Sequence, residues 1–403
     1  MLRTRICELL GIEHPIVLGG MGSATSPELV AAVCEAGGFG VLGATRQSPE
    51  ELARDAAAIR ALTGKPFGLN LLLFLERPGQ YDGLLAARPR VVSSAWPTLQ
   101  QDLGGYVART HAIGALSMHM VSTVADAKAA ARAGVDVIVA QGTEGGGHVG
   151  VMGTMPLVPM VVSAVAPTPV LAAGGVADGR GLAAALALGA DGVLLGTRFL
   201  ASDEAPIAKG FKQAIVESDG HDTLVTEIPD VANGQVWPGA YVRVRRNRFI
   251  EEWIGRENEL RLRRAEVSAR LREAAKAGDP DRGAIMIGQT AGLIDRVEPA
   301  ADLVRQISHD AEAILRERLP RLLKIGSWTQ IGYILNAAMP GVRVGVEYRP
   351  PGAIPVKPGL VYLRVDQAGD YWNDILGSGT IAIYQPIDPQ KVDLRLIAVQ
   401  AGK

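Results

Sequence analysis

The clearest candidate for chemistry in this chain is one imidazole set among glycines. The run Gln141-Gly142-Thr143-Glu144-Gly145-Gly146-Gly147-His148-Val149-Gly150 follows an apolar stretch, Val135 to Ala140. A strand is therefore predicted to end in a loop that carries His148. Glycines let a backbone come close to a bulky ligand and adopt dihedrals that other residues avoid. A histidine fixed there, beside a flat ligand, can move a proton near neutral pH. Its bland reading is a hydrogen-bonded loop histidine. Two later apolar runs also end in glycine: Pro169-Val170-Leu171-Ala172-Ala173-Gly174-Gly175 and Gly192-Val193-Leu194-Leu195-Gly196-Thr197. Main-chain N–H groups bared by such glycines suit a phosphate. One such turn would be weak grounds; two, after successive apolar runs, argue for a ligand over tight turns alone.

The elements that must position these residues alternate along the chain. Strands are predicted at 14–18, 39–42, 66–70, 90–93, 115–119, 135–140, 170–173 and 192–195. Ser26-Pro27-Glu28 and Ser48-Pro49-Glu50 each open a helix with a serine cap and a proline at the first helical position. Eight strands, most followed by a helical pattern, predict an α/β fold, a closed (β/α)8 TIM barrel over residues 1–200. Its catalytic mouth lies at the strand C-termini, and phosphate is commonly held after the seventh and eighth strands. Val151 to Pro167, rich in Met, Pro and Val, is expected to be a long loop walling one side of that mouth.

Beyond the barrel, helices are expected at 205–218, 251–277 and 302–319, forming a helical cap or barrel-completing segment over 201–325. From 326 to 403 prolines and glycines punctuate β-like runs at 342–348, 361–365, 381–384 and 394–399. This reads as a small β-rich C-terminal module of unknown role.

A formal net charge of −1 over 403 residues gives no electrostatic case for nucleic acid or an anionic membrane. The basic cluster Arg243-Val244-Arg245-Arg246-Asn247-Arg248 reads as a solvated strand or turn. Cys7 and Cys34 make no disulfide framework, and no His/Cys/carboxylate group has metal-ligand spacing, so no metal is expected. There is no signal-peptide pattern at the N-terminus and no apolar run reaching the ~18 residues of a membrane span. A cytoplasmic setting is expected.

The motifs jointly resemble a known family. Gly-Ile-Glu-His-Pro-Ile-Val-Leu-Gly-Gly-Met at 11–21, Pro-Phe-Gly-Leu-Asn at 66–70, the Gln141–His148 run, Ala-Ala-Gly-Gly-Val-Ala-Asp-Gly-Arg-Gly at 172–181 and Gly-Val-Leu-Leu-Gly-Thr-Arg-Phe at 192–199 are similar to the nitronate monooxygenase family. Gly288-Gln289-Thr290-Ala291-Gly292-Leu293 matches that family's late motif. The resemblance spans about residues 3 to 320 and implies an FMN-binding barrel. It implies that Gly19, Gly20, Met21, Asn70 and Gln141 contact the flavin ring or ribityl chain, with Gly146 passing close by. Gly174, Gly175, Gly196 and Thr197 would hold the phosphate beside Leu194 and Leu195. His148 would take the α-proton of a nitroalkane; the resulting nitronate would reduce FMN, and dioxygen would complete conversion to a carbonyl compound and nitrite.

Family members often carry Gln or Lys just after the histidine of the fifth strand, against the flavin. Here Met120 follows His119. Both are candidates for the substrate pocket, although His119 reads equally as a satisfied core histidine. His14 falls on the opposite face and is expected to be structural. The same motifs would serve an NAD(P)H-dependent reductase of quinones or enoyl thioesters, which relatives of the family include. A third reading is a non-enzymatic flavin-binding barrel whose C-terminal module recruits a partner. Whether 326–403 serves a homo-oligomer or another protein stays open.

Overall fold

The structure is a computed structural model that describes residues 2–322, 343–347, 362–367 and 380–382. Helix starts follow the local chemistry. Ser26 accepts from Leu29 N–H to cap Pro27–Glu35, and Ser48 forms a reciprocal capping box with Glu51 at Pro49–Leu62. Thr123 and Asp178 cap Val124–Arg132 and Gly179–Ala187 in the same manner.

The strands are β1 Ile16–Leu18, β2 Phe39–Gly43, β3 Gly68–Leu72, β4 Val91–Ala95, β5 Leu116–Val121, β6 Val137–Gln141, β7 Gly147–Val149, β8 Val170–Ala173, β9 Gly192–Leu195, β10 Thr223–Thr226 and β11 Tyr241–Arg245. Eight of them close a parallel barrel in the order β1-β2-β3-β4-β5-β6-β8-β9. Closure comes from β9 pairing with β1, Val17 opposite Leu194 and Leu18 opposite Leu195. Strand residues alternate between two cores, as the two-residue period requires. Val17, Phe39, Val41, Val91, Met118, Val139 and Leu171 fill the barrel, plugged by Ile6, Cys7 and Leu10 of the helix Arg5–Leu10. Leu18, Leu42, Leu69, Val92, Ile138 and Val193 face the surrounding helices. The chain thus adopts the expected TIM barrel.

Three expectations need correction. Residues 151–167 are not a loop, because Thr154–Val165 is a helix. Pro156 falls in its first turn, where no N–H partner is missed. Burial of Leu157, Val158, Val161 and Val165 outweighs the bond lost at Pro159. The segment after the barrel is not purely helical: β10, β11 and β7 form an antiparallel sheet in that order. The stretch 251–277 is three helices, Arg248–Trp253, Glu257–Leu262 and Arg264–Ala277, broken first near Gly255, whose φ is 74°.

The expected last helix runs Ala300–Ala313 and packs against Gly179–Ala187 and Pro27–Glu35, completing the outer ring. The approach is close: a Cβ at Gly179 would lie 2.5 Å from Asp310 Cβ. Among the described residues no helix is long and apolar enough to cross a membrane.

The chain divides into two compact units, Met1–Glu317 and Arg318–Lys403. In the second, β12 Arg343–Glu347, β13 Tyr362–Gln367 and β14 Thr380–Ala382 form an antiparallel sheet in that order. The run expected at 394–399 lies outside the described residues.

Candidate active site

A cavity of about 760 Å³ opens at the C-terminal ends of the barrel strands, within the size range of cofactor and ligand sites. Its wall comes first from residues that end or follow strands. Gly19, Gly20 and Met21 follow β1, while Asn70 lies in β3, Met120 in β5 and Gln141 at the end of β6. Gly20 must be glycine, since a Cβ there would fall 2.4 Å from Asn70 Cβ. Asn70 in turn donates to Ser93 Oγ at 3.1 Å. Gly174 and Gly175, after β8, have φ of 81° and 76°, and Gly196 and Thr197 follow β9. All of these line the cavity, together with Gly146, Leu194 and His148.

The cavity suits a flavin nucleotide. Gln141 Oε1 is buried without a hydrogen-bond partner, and buried polar atoms are normally satisfied. Among the described lining residues Arg46 is the only permanently charged side chain. A phosphate near Gly174, Gly175 and Gly196 would therefore be met by main-chain amides. Glu144 caps a helix: its carboxylate accepts from Thr154 N–H at 3.0 and 2.9 Å and from Thr154 Oγ1 at 2.8 Å. Thr197 Oγ1 accepts from Gly288 N–H at 2.9 Å, tying the late motif to the end of the barrel.

His148 sits on β7 opposite Val242 of β11, so the appended sheet fixes its backbone. Its ring stacks on Trp237, with centroids 3.2 Å apart and planes 11° from parallel. Nε2 lies 3.0 Å from both carboxylate oxygens of Asp230, on the helix Ile228–Asn233. The two side chains are only 8% and 9% exposed. Trp237 also meets Phe74 at 4.6 Å and Trp96 at 6.3 Å, building an aromatic wall.

Other candidates are placed elsewhere. His119 faces away from the cavity, toward the helical layer, and bonds Ser94 Oγ at 2.8 Å. Burial pushes its imidazole down to about 4, so it is neutral at physiological pH. Inward-facing Met120 does line the cavity. Leu195 packs in the outer core and presents no side chain to the site. His14 bonds Ser308 Oγ at 2.9 Å, away from the site. The basic cluster is not uniformly solvated: Arg243 is 6% exposed and donates to Thr143 O, while Arg245 pairs with Asp222.

Asp230, Trp237, Trp96 and Arg46 are site residues that sequence reasoning missed. Arg46 and Trp96 are two of three described non-glycine residues with left-handed φ, at 73° and 54°. Such strain tends to gather at ligand sites. Trp237, followed by Pro238-Gly239, offered a signal as an aromatic at a turn; Asp230 offered none.

Residues 3–84 and 78–310 match the family described as nitronate monooxygenase. The chain belongs to the nitronate monooxygenase family. It is thus an oxidoreductase of a flavin-dependent group. It is similar to the (3aS,4S,5R,7aS)-5-hydroxy-7a-methyl-1-oxo-octahydro-1H-indene-4-carboxyl-CoA dehydrogenase of Mycobacterium tuberculosis, 33% identical over 345 residues, covering 77% of this chain and 96% of that protein. Among solved structures, FabK from Thermotoga maritima aligns with a TM-score of 0.71 at 36% identity, covering 80% of this chain and 100% of the other. The nitroalkane oxidase of Streptomyces ansochromogenes aligns with a TM-score of 0.65 at 30% identity, over 76% and 97%. Residues 296–399 match a second family, described as bacterial type VI secretion (EvfL, ImpJ, VasE).

Proposed function

We propose that this protein oxidises nitroalkanes and alkyl nitronates with dioxygen, using FMN and giving a carbonyl compound and nitrite. The observation that carries the reading is a fixed imidazole, His148, in the wall of a cavity lined, apart from Arg46, by glycine backbone and uncharged side chains. The nitroalkane oxidase likeness supports it. Bound FMN supplies an electron acceptor between an electron-rich carbon acid and dioxygen. Main chain at Gly174, Gly175 and Gly196, with Thr197, would hold its phosphate; Gly19, Gly20, Met21, Asn70, Gln141 and Gly146 would flank the rest. His148 removes the α-proton of a neutral nitroalkane; a nitronate arrives already deprotonated and needs no base. Trp237, Trp96 and Phe74 form an aromatic wall beside the base.

A second reading is an NAD(P)H-dependent reductase of quinones or enoyl thioesters, favoured by the likeness to FabK and to a dehydrogenase named for a carboxyl-CoA. Anaerobic mixing of the flavin-loaded protein with each donor decides. Loss of the visible flavin absorbance with an alkyl nitronate, and none with NADH or NADPH, supports the oxidation. The reverse result establishes the reductase. No bleaching by either favours a flavin-binding protein that recruits partners.

A further inference from the structure

Resting on His148 as the base, we infer that Asp230 is a positioning residue: it holds the imidazole as the Nε2–H tautomer, so that Nδ1 is the atom that takes the substrate proton. A neutral imidazole has one N–H and one lone pair, and an ionised carboxylate can only accept. Both Asp230 oxygens lie 3.0 Å from Nε2, so Nε2 carries the hydrogen and Nδ1 keeps the lone pair. Neither group can easily turn away. Trp237 covers one face of the ring at 3.2 Å. On one side β7 is anchored by pairing with β11; on the other, Asn233 Nδ2 donates to Pro229 O across the short helix that bears Asp230.

The carboxylate has a second effect. When Nδ1 takes a proton the ring becomes an imidazolium, and an adjacent buried anion stabilises that charge as it forms. The Asp230 pair would therefore assist proton abstraction and leave the turnover of a supplied nitronate untouched. A mere staple between the helix and β7 would make no such distinction.

Two measurements test the assignment. Nitrogen-15 spectra of histidine-labelled holoenzyme, with the His148 signals identified by their loss in His148→Gln, report the tautomer directly. The Nε2–H form is expected; Nδ1–H in the wild type overturns the proposal whatever the enzyme turns over. In Asp230→Asn the amide can donate to the ring and turn it to the other tautomer. Nitroalkane turnover then falls about 100-fold or more while alkyl nitronate turnover holds. Asp230→Glu, which keeps the anion, recovers part of the loss. Equal losses on both substrates overturn the assignment, as does no loss on either. If the wild type oxidises neither substrate, the functional reading fails, and the tautomer still decides the role of Asp230.

Discussion

Two parts of the cavity wall are built by different means. Around Gly174, Gly175, Gly196 and Thr197 the wall is main chain, and each element of it immediately follows a barrel strand. Around His148 it is side chain, gathered from β7, the helix Ile228–Asn233 and the turn at Trp237. The contacting residues there lie 82 positions apart. The first part depends on small residues in special backbone conformations, which suit a ligand's unreactive anionic end. The second depends on one ring held in one orientation, which chemistry requires. Binding and proton transfer in this protein should therefore be separable by mutation.

The sharpest way to break that separation is His148→Ala. Nitroalkane turnover is expected to fall by about 10²–10⁴-fold, the usual worth of a positioned base. Nitronate turnover and flavin content should be retained. Loss of flavin with the imidazole would show that the two parts of the wall act together.

A second test contrasts His148 with His119, which points out of the barrel. The folded-state value of His119 is about 4, below the ordinary 6.5. Between those values the unfolded chain binds more protons than the folded one. Stability is therefore complete above about pH 6.5 and declines as pH falls toward 4, by about 3 kcal/mol in all. Denaturant unfolding at neutral and mildly acidic pH should show this loss in the wild type and a flatter profile in His119→Asn, whose nitroalkane turnover at neutral pH should be near normal.

Gly174→Ala probes the main-chain side. Its φ of 81° disfavours a side chain, and the new Cβ would approach Gly142 O to 2.8 Å. A cost of about 1–3 kcal/mol is expected. It should be read as weaker flavin retention on dilution, with the nitroalkane-to-nitronate rate ratio of the loaded fraction unchanged.

The smallest effect is expected for Trp237→Ala. Loss of the stack on His148 should cost about 1 kcal/mol and raise KM for nitroalkanes several-fold more than it alters flavin content. A collapse of kcat instead would make Trp237 part of the orientation of the base.

Local features of the barrel were legible because they rest on neighbours in sequence. Ser48, Pro49 and Glu51 make a helix start within four residues, and apolar runs ending in glycine mark β8 and β9. The helix Thr154–Val165 was hidden because its prolines suggested a loop, while its N-terminal cap, Glu144, lies ten residues upstream and its apolar face is defined only by what it packs against. His119 and Met120 were equivalent as sequence; alternation about β5 sends one toward the helices and the other into the cavity.

The barrel, the glycine turns after its last strands and the glycine-rich run that carries His148 could be read from the amino-acid sequence, because periodicity, capping and backbone freedom are properties of short segments. That Asp230 bonds that histidine and Trp237 stacks on it, that Arg243 is buried and that His119 faces away follow from the folded chain alone. Those facts depend on how distant segments pair and which face of each strand is covered, and no local pattern encodes either.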